Sequence, residues 1–227
     1  MTTKIVLVVL FVASMLLMAY TRAGKKKKIV FFGDSITEQG AKPGGYIGKI
    51  DSIIKHENTD TQYELVGAGV SGNKVYDLYL RLEEDVLSKA PDVTVIYIGV
   101  NDVWHKMGRG TGTDEDKFEK FYRAIIRKLQ YSASKIVVCT PAAIGERKDY
   151  TNQQDGDLNR YSNVIRKLAK EFDLPIVDLR QLFVDYNISN NPESKDRGIL
   201  TTDGVHLNQN GNVFVANAIW SVIKGVK

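Results

Sequence analysis

Three side chains of this sequence could together perform nucleophilic catalysis: Ser35, Asp203 and His206. A serine hydroxyl is a weak nucleophile until a base removes its proton, and histidine is the side chain best suited to do so near neutral pH. Asp203 precedes His206 by three residues, a spacing that allows its carboxylate to accept the Nδ1 proton and leaves Nε2 facing the serine. The sequence therefore predicts a serine nucleophile and a histidine base, in the chain order Ser, Asp, His.

The same chemistry needs hydrogen-bond donors for the negative charge that develops on the attacked carbonyl oxygen. The backbone N–H of Ser35 lies at a predicted helix start, where unpaired amides and the helix dipole favour an anion. The backbone N–H of Gly72 is open to close approach because glycine has no Cβ. The side-chain amide of Asn101 provides another donor. We expect Ser35, Gly72 and Asn101 to form an oxyanion hole.

Each of these pieces also has an ordinary structural interpretation. A Gly-Asp-Ser sequence is often only a strand-to-helix turn with a capping serine, and a D-x-x-H pair is often a helix cap followed by a surface histidine. An Asn-Asp pair after a strand is common in turns. The pieces favour a functional site because all of them fall where a single parallel sheet would bring them together.

The glycine-rich stretch Gly67–Gly72 (GAGVSG) matches the G-x-G-x-x-G pattern of dinucleotide-binding sites. Such sites place the pattern in the first strand–turn–helix unit, with an acidic residue about 20 positions later at the end of the next strand. Here the pattern lies in the second unit, and Asp92, at that distance, comes before the next strand. We therefore predict that these glycines serve the oxyanion and do not bind a nucleotide.

Five short apolar runs predict buried strands: Ile29–Phe32, Tyr63–Val66, Val93–Ile98, Ile136–Cys139 and Ile176–Leu179. The stretches between them carry apolar residues at helical spacing, most clearly from Phe118 to Leu129. This alternation predicts an α/β fold with a parallel sheet covered by helices on both faces. Ligands of such sheets bind at the carboxyl ends of the strands, which is where Ser35, Gly72 and Asn101 fall.

Two long loops are predicted to follow strand ends, over residues 102–114 and 142–157. Long loops in this position commonly form lids or pocket walls. Both carry charged side chains, among them Lys106, Arg109 and Glu146. This polarity favours a small polar substrate over a long acyl chain.

Taken in order, these residues resemble the four motif blocks of the SGNH (GDSL-type) serine hydrolase family. Gly33-Asp34-Ser35 resembles the first block, Gly72 aligns with the glycine of the second, Asn101 aligns with the asparagine of the third, and Asp203 with His206 matches the D-x-x-H of the last. The matches spread over residues 29–212. The resemblance implies a flavodoxin-like, three-layer α/β/α fold with a five-stranded parallel sheet. It also implies ester hydrolysis through an acyl-enzyme on Ser35, with no metal and no organic cofactor.

One position departs from the family pattern. Gly67 stands where the family often has an asparagine, five residues before the second-block glycine, and we expect only a small change in local hydrogen bonding. Asp34 and Asp178 could be supporting carboxylates or have purely structural roles. Trp104 and His105 directly follow the third block and either line the pocket or pack in the interior.

The first 24 residues are predicted to be a targeting segment, followed by a single domain over residues 25–227. Residues 5–20 are almost wholly apolar, and Thr21-Arg22-Ala23 places small residues where a signal peptidase reads the chain. A cleaved leader predicts a secreted or periplasmic protein. The alternative is an uncleaved membrane anchor, which the positive charge after the apolar run favours.

Charge and cysteine content argue against several other functions. The net charge of +4 is matched by the run Lys25–Lys28, so no broad basic face for nucleic acid remains. Cys139 is the one cysteine, lies in an apolar run, and is predicted to be a buried, inert thiol. The sequence has no Cys/His pattern of a zinc site.

The function expected from these residues is a serine ester hydrolase that removes a short acyl group, such as acetyl, from a carbohydrate or a similar small ester. A lysophospholipase or thioesterase-type lipid esterase is the alternative within the same class. A non-catalytic carbohydrate-binding module on the same fold is the alternative from another class, and the complete set of motif residues argues against it.

Overall fold

The structure, a computed structural model, describes residues 26–149 and 151–226. Its central feature is a five-stranded sheet in which neighbouring strands pair in parallel. The strands are β1 (Lys27–Gly33), β2 (Tyr63–Gly69), β3 (Val93–Tyr97), β4 (Lys135–Cys139) and β5 (Ile176–Val177), and their order across the sheet is β2-β1-β3-β4-β5. The predicted leader, residues 1–24, lies outside the described residues.

Helices connect the strands and cover the sheet. They are α1 (Ser35–Gly40), α2 (Tyr46–His56), α3 (Val75–Asp85), α4 (Val100–Arg109), α5 (Glu115–Tyr131), α6 (Asp155–Glu171), α7 (Leu179–Asn190) and α8 (Gln209–Ile223). A short 3₁₀ helix, Leu87–Lys89, follows α3.

The sheet separates two apolar cores because side chains of a strand point alternately to its two faces. Phe31 of β1 packs with residues of α2, α7 and α8, whereas its neighbour Phe32 packs with residues of α3, α5 and α6. The helical spacing from Phe118 to Leu129 places its apolar face in the second of these cores. The predicted three-layer α/β/α fold is confirmed.

Two predictions about element boundaries were wrong in ways that bear on the site. β5 is only two residues long because the Asp178 side chain accepts a hydrogen bond from Gln181 N at 3.3 Å and starts α7. Much of the predicted loop 102–114 is helical, since α4 continues to Arg109 and ends at Gly110, whose φ is 65°. Trp104 and His105 therefore lie on a helix.

The glycine-rich stretch lets α1 pack closely against the end of β2, which extends to Gly69. A Cβ on Gly69 would lie 2.1 Å from the backbone nitrogen of Glu38. A Cβ on Gly67 would lie 2.6 Å from that of Ala41, just after α1. Both distances are shorter than any van der Waals contact, so these glycines are needed for helix–strand packing.

The carboxyl ends of β1, β2 and β3 lie side by side at one edge of the sheet. The chain leaves β1 for β2 on one side, and β3 pairs with β1 on the other, which creates the crevice where ligands of open parallel sheets bind. Within the described ranges, we find no helix with the length and apolar character needed to cross a membrane.

Candidate active site

Ser35 begins α1 directly after β1 and exposes only 7% of its surface. Asp34 caps this helix, because its side chain accepts a hydrogen bond from Ile36 N at 2.9 Å. The sharp strand-to-helix turn places the serine hydroxyl at the carboxyl edge of the sheet. Capping is thus the role of Asp34 and not of the serine.

The Ser35 hydroxyl lies 3.0 Å from His206 Nε2, although 171 positions separate the two residues. His206 Nδ1 lies 2.7 Å from Asp203 Oδ2. Partial burial alone would raise the pKa of Asp203, but hydrogen bonds from His206 and Val205 outweigh it and lower this pKa below its ordinary value. Asp203 is therefore held ionised, as a partner for the Nδ1 proton must be.

Hydrogen bonds within the turn that carries Asp203 and His206 hold its backbone in place. Asp203 Oδ1 accepts hydrogen bonds from the N–H groups of Val205 (3.0 Å) and His206 (2.8 Å). The N–H of Thr202 donates to His206 O at 2.8 Å. The carboxylate therefore contacts both the imidazole and the backbone that supports it.

Gly72 follows β2 and Asn101 follows β3, the two strands that flank β1 in the sheet. Val70 N donates to Gly33 O at 3.2 Å, so the turn after β2 starts beside the end of β1. Gly72 lies in this turn with a φ of 80°, a region that favours glycine. From the end of β3, Asn101 Nδ2 donates to Asn73 O at 3.1 Å. An amide NH₂ has a second hydrogen, which remains for another acceptor.

Arg81 of α3 links the two strand ends to this turn. Its guanidinium donates to Gly33 O (2.6 Å), to Ala68 O (3.1 Å) and to Asn73 Oδ1 (2.6 Å). It also lies over the ring of Phe32, 4.5 Å from the centroid. The sequence does not predict this role of Arg81, because it depends on contacts with the backbone carbonyls of two strand ends.

Two buried carboxyl groups lie near the serine. Burial raises the pKa of Asp34 to about 7, and the charge of Asp102 adds to this rise. Burial likewise raises the pKa of Asp102 to about 6, against the opposing effect of its hydrogen bond from Val75 N. The two Asp102 oxygens lie 3.2 and 3.3 Å from that nitrogen and tie α4 to the start of α3.

Trp104 packs beside His206, with ring centroids 6.0 Å apart and planes at 70°. His105 is buried, and this burial is the main cause that lowers its pKa. The positive charges of Lys74 and Arg109 lower the pKa further. No hydrogen bond joins His105 to His206 in the part of the chain that the structure describes. Of this pair, Trp104 is the one whose ring packs beside His206.

Three other titratable residues lie away from Ser35 and His206. His56 is exposed on α2, and Cys139 is buried in β4, where burial raises the pKa of its thiol. The Asp178 carboxylate accepts hydrogen bonds from Arg166 (2.8 Å) and Thr140 (3.0 Å) and has a structural role. Across residues 26–149 and 151–226, no group of three or more His, Cys, Asp or Glu side chains is arranged to hold a metal ion.

Glu146 differs from its neighbours in the charged loop after β4. The sequence suggests a polar side chain on a pocket wall, whereas the structure buries Glu146 to 1% exposure. Its carboxylate accepts hydrogen bonds from three successive backbone N–H groups, those of Ile199, Leu200 and Thr201. The charged run gives no signal of this burial, because Arg147 and Asp149 are exposed as expected.

Comparison with known proteins identifies close relatives over most of the chain. The acetylxylan esterase of Geobacillus stearothermophilus is 28% identical over 213 residues, which cover 87% of this chain and 94% of that protein. The acetyl xylan esterase AlAXEase, whose crystal structure is known, is 60% identical in sequence to this chain. The two structures superimpose with a TM-score of 0.85 over 86% of this chain and 99% of that one.

A second solved structure, also of an acetylxylan esterase, has a similar fold over most of the chain. Axe2, an acetylxylan esterase from Geobacillus stearothermophilus, is 26% identical over 90% of this chain and 96% of that one, with a TM-score of 0.77. The sequence profile of the GDSL-like lipase/acylhydrolase family matches residues 31–213. That match covers most of the chain and includes the strand ends described above. The chain therefore belongs to the GDSL-like lipase/acylhydrolase family of carboxylic ester hydrolases.

Proposed function

We propose that this protein is a serine esterase that removes acetyl groups from an acetylated carbohydrate of the xylan type. The observation that carries the proposal is the hydrogen-bonded line from Ser35 Oγ to His206 Nε2 (3.0 Å) and from His206 Nδ1 to Asp203 (2.7 Å). The acetyl group and the carbohydrate are supported by the 60% identity to the acetyl xylan esterase AlAXEase.

In the first half-reaction Ser35 Oγ attacks the ester carbonyl while His206 Nε2 takes the hydroxyl proton. Asp203 accepts the Nδ1 proton in a hydrogen bond and stabilises the imidazolium that forms. Collapse of the tetrahedral intermediate breaks the bond to the sugar oxygen, which leaves with the proton from His206. The acetyl group remains on Ser35 as an ester.

In the second half-reaction water replaces the sugar hydroxyl. His206 takes a proton from the water, whose oxygen attacks the acetyl carbonyl on Ser35. Collapse of the second tetrahedral intermediate releases acetic acid, which ionises to acetate in water, and returns the proton from His206 to Ser35 Oγ. All proton transfers use side chains of the protein.

The negative charge of both intermediates is assigned to three donors: Ser35 N–H, Gly72 N–H and the second hydrogen of Asn101 Nδ2. The contact from Asn101 to Asn73 O supports this assignment, because it holds the amide beside the Gly72 turn. Donors fixed before the reaction starts stabilise the developing charge without reorganisation. We assign to Trp104 the wall of the pocket next to His206.

Variants of a relative support the assignment of the three catalytic side chains. Solved structures of Axe2 include catalytic mutants in which a serine, an aspartate or a histidine is replaced by alanine. The aspartate and the histidine of that enzyme are three positions apart, the same spacing that separates Asp203 from His206.

The proposal is tested by hydrolysis of acetylated xylan and of p-nitrophenyl esters from acetate to palmitate. We expect kcat/KM to be highest for acetate and to fall with chain length. Ser35→Ala should lower turnover on the order of 10⁴-fold or more, because the nucleophile is lost. The matched control is Ser221→Ala, which replaces an exposed serine on α8 and should leave turnover unchanged. Full activity in Ser35→Ala, or a preference for palmitate, would contradict the proposal.

We further propose that residues 1–24 direct export and that residues 25–227 form the single catalytic domain. The apolar run 5–20 and the small residues that follow it support this proposal. The N-terminal sequence of the protein recovered from outside the cytoplasm should begin shortly after residue 23. An intact N-terminus on a membrane-bound protein would show instead that the segment is kept as an anchor.

A further inference from the structure

The loop after β4 holds a buried carboxylate, Glu146, that the proposed reaction does not use. Glu146 is 1% exposed, and its oxygens accept hydrogen bonds from Ile199 N (2.9 Å), Leu200 N (2.7 Å) and Thr201 N (3.1 Å). Burying a carboxylate is costly unless it is hydrogen-bonded, and bonds to an ionised acceptor are stronger than neutral ones. Three convergent N–H groups meet that requirement and fix the backbone of this segment.

This segment is the base of the turn that carries Asp203 and His206. Thr201 pairs with Leu207 in an isolated antiparallel bridge that closes the turn. The hydroxyl of Thr201 also accepts a hydrogen bond from Gly204 N at 3.0 Å. A shift of residues 199–201 would therefore move the whole turn, including His206.

The loop of Glu146 is attached to the turn and to the body of the protein at further points. Gly145 N donates to Gly204 O at 2.9 Å, directly beside Asp203. Glu146 O accepts a hydrogen bond from the buried Asn191 Nδ2 at 2.9 Å, and Glu146 N donates to Asp196 O at 2.9 Å. The backbone around Glu146 is thus held in place, and the Glu146 carboxylate connects the loop after β4 to the turn that carries Asp203 and His206.

We infer that Glu146 is a positioning residue, which sets the place of His206 relative to Ser35 and thereby controls the rate of the chemical step. The inference rests on the proposed function of Ser35 and His206. Glu146 touches neither reacting side chain, so it acts only through the turn. An error of about 1 Å in the place of a catalytic group can cost on the order of 100-fold in rate.

The test uses Glu146→Gln in the full-length protein. Glutamine keeps the size of the side chain and one acceptor oxygen but places an NH₂ against one of the three N–H donors. We expect kcat for acetyl ester hydrolysis to fall on the order of 10- to 100-fold, with KM changed less than threefold. Rates are measured well below the unfolding temperature of each variant. If the glutamine variant does not fold, Glu146→Asp, which keeps the charge, is measured instead. The same result is expected: a lower kcat with KM changed less than threefold.

The matched control is Asp178→Asn. Asp178 also accepts several hydrogen bonds, from Arg166, Thr140 and Gln181. It caps α7, and among the described residues its carboxylate has no hydrogen bond to the turn that carries Asp203 and His206. This variant should lower the unfolding temperature and leave kcat unchanged. A purely structural Glu146 would behave in the same way, and that result would overturn the inference.

A double-mutant cycle with His206→Ala distinguishes positioning from general damage. If Glu146 acts through His206, Glu146→Gln should have no further effect on the residual activity of His206→Ala. Independent, multiplicative effects would overturn the inference while the proposed function stands. Full activity of Ser35→Ala in the same assay would overturn the proposed function itself.

Discussion

At the scale of single residues, the acid that precedes Ser35 has an unusual environment. Asp34 is buried and caps α1, and burial raises its pKa to about 7. The folded protein therefore binds a proton at Asp34 more tightly than the unfolded chain, whose value is near the ordinary 3.8. Between these two values the unfolded chain releases the proton first, so the contribution of Asp34 to stability falls as pH rises.

Replacing Asp34 by asparagine should remove this pH dependence. Asparagine caps helices about as well as aspartate but carries no charge at any pH. The free energy of unfolding of Asp34→Asn relative to the parent protein should rise from pH 4 to pH 8, with a gain at pH 8 of at most about 4 kcal/mol. Denaturant unfolding across this range measures the change. Parallel curves for the two proteins would show that Asp34 is ionised in the folded state.

The spacing D-x-x-H occurs twice in the chain, and only one copy forms a pair. Asp102 and His105 have the same spacing as Asp203 and His206. Asp102 instead accepts hydrogen bonds from Val75 N, because the start of α3 lies against α4. Spacing alone therefore does not predict an Asp–His pair. Asp203 and His206 pair because the turn from Thr202 to His206, closed by a backbone hydrogen bond, brings the two side chains together.

At the scale of elements, the candidate site depends on how α3 joins the ends of β1 and β2. Arg81 carries out this joining, since its guanidinium binds Gly33 O, Ala68 O and Asn73 Oδ1 at the same time. The planar group has donors in fixed directions, which lysine cannot reproduce. The turn that contains Gly72 is thereby held against the strand that leads to Ser35.

Arg81→Lys should therefore lower both stability and activity. We expect a loss of about 2–4 kcal/mol in the free energy of unfolding, from two or more charged hydrogen bonds. We also expect kcat/KM to fall about tenfold or more, because the Gly72 turn becomes less well placed. Arg123→Lys is the control: Arg123 pairs with Glu119 and Glu171 away from the strand ends, so its kcat/KM should be unchanged. Equal effects of the two variants on kcat/KM would contradict this role.

Element boundaries were harder to predict from the sequence than element types. Apolar runs and helical spacing were sufficient for the strands and for α5 because these elements bury whole faces. The sequence did not predict α4, because its charges, Gly108 and the glycines that follow it are typical of a loop. In the structure Val100 and Val103 anchor this helix to the two cores. The end of β5 depends on the cap made by Asp178, which apolar patterning does not report.

At the scale of the whole molecule, topology explains why residues far apart in sequence meet. Strand-to-helix alternation predicts a parallel sheet, and the carboxyl ends of its strands share one edge. This rule is the basis of the prediction that Ser35, Gly72 and Asn101 lie together. The roles of Glu146 and Arg81 could not be predicted, because each binds backbone groups between 13 and 55 positions away, and side-chain type does not encode such contacts.

The central claim is that His206, oriented by Asp203, activates the hydroxyl of Ser35. A fluorophosphonate probe followed by peptide mass spectrometry tests it most directly, because the probe reacts covalently with an activated serine. We predict one label per chain, on Ser35, with labelling slowed strongly in His206→Ala and unchanged in Ser221→Ala. Labelling of another residue, or equally fast labelling of Ser35 without His206, would contradict the account.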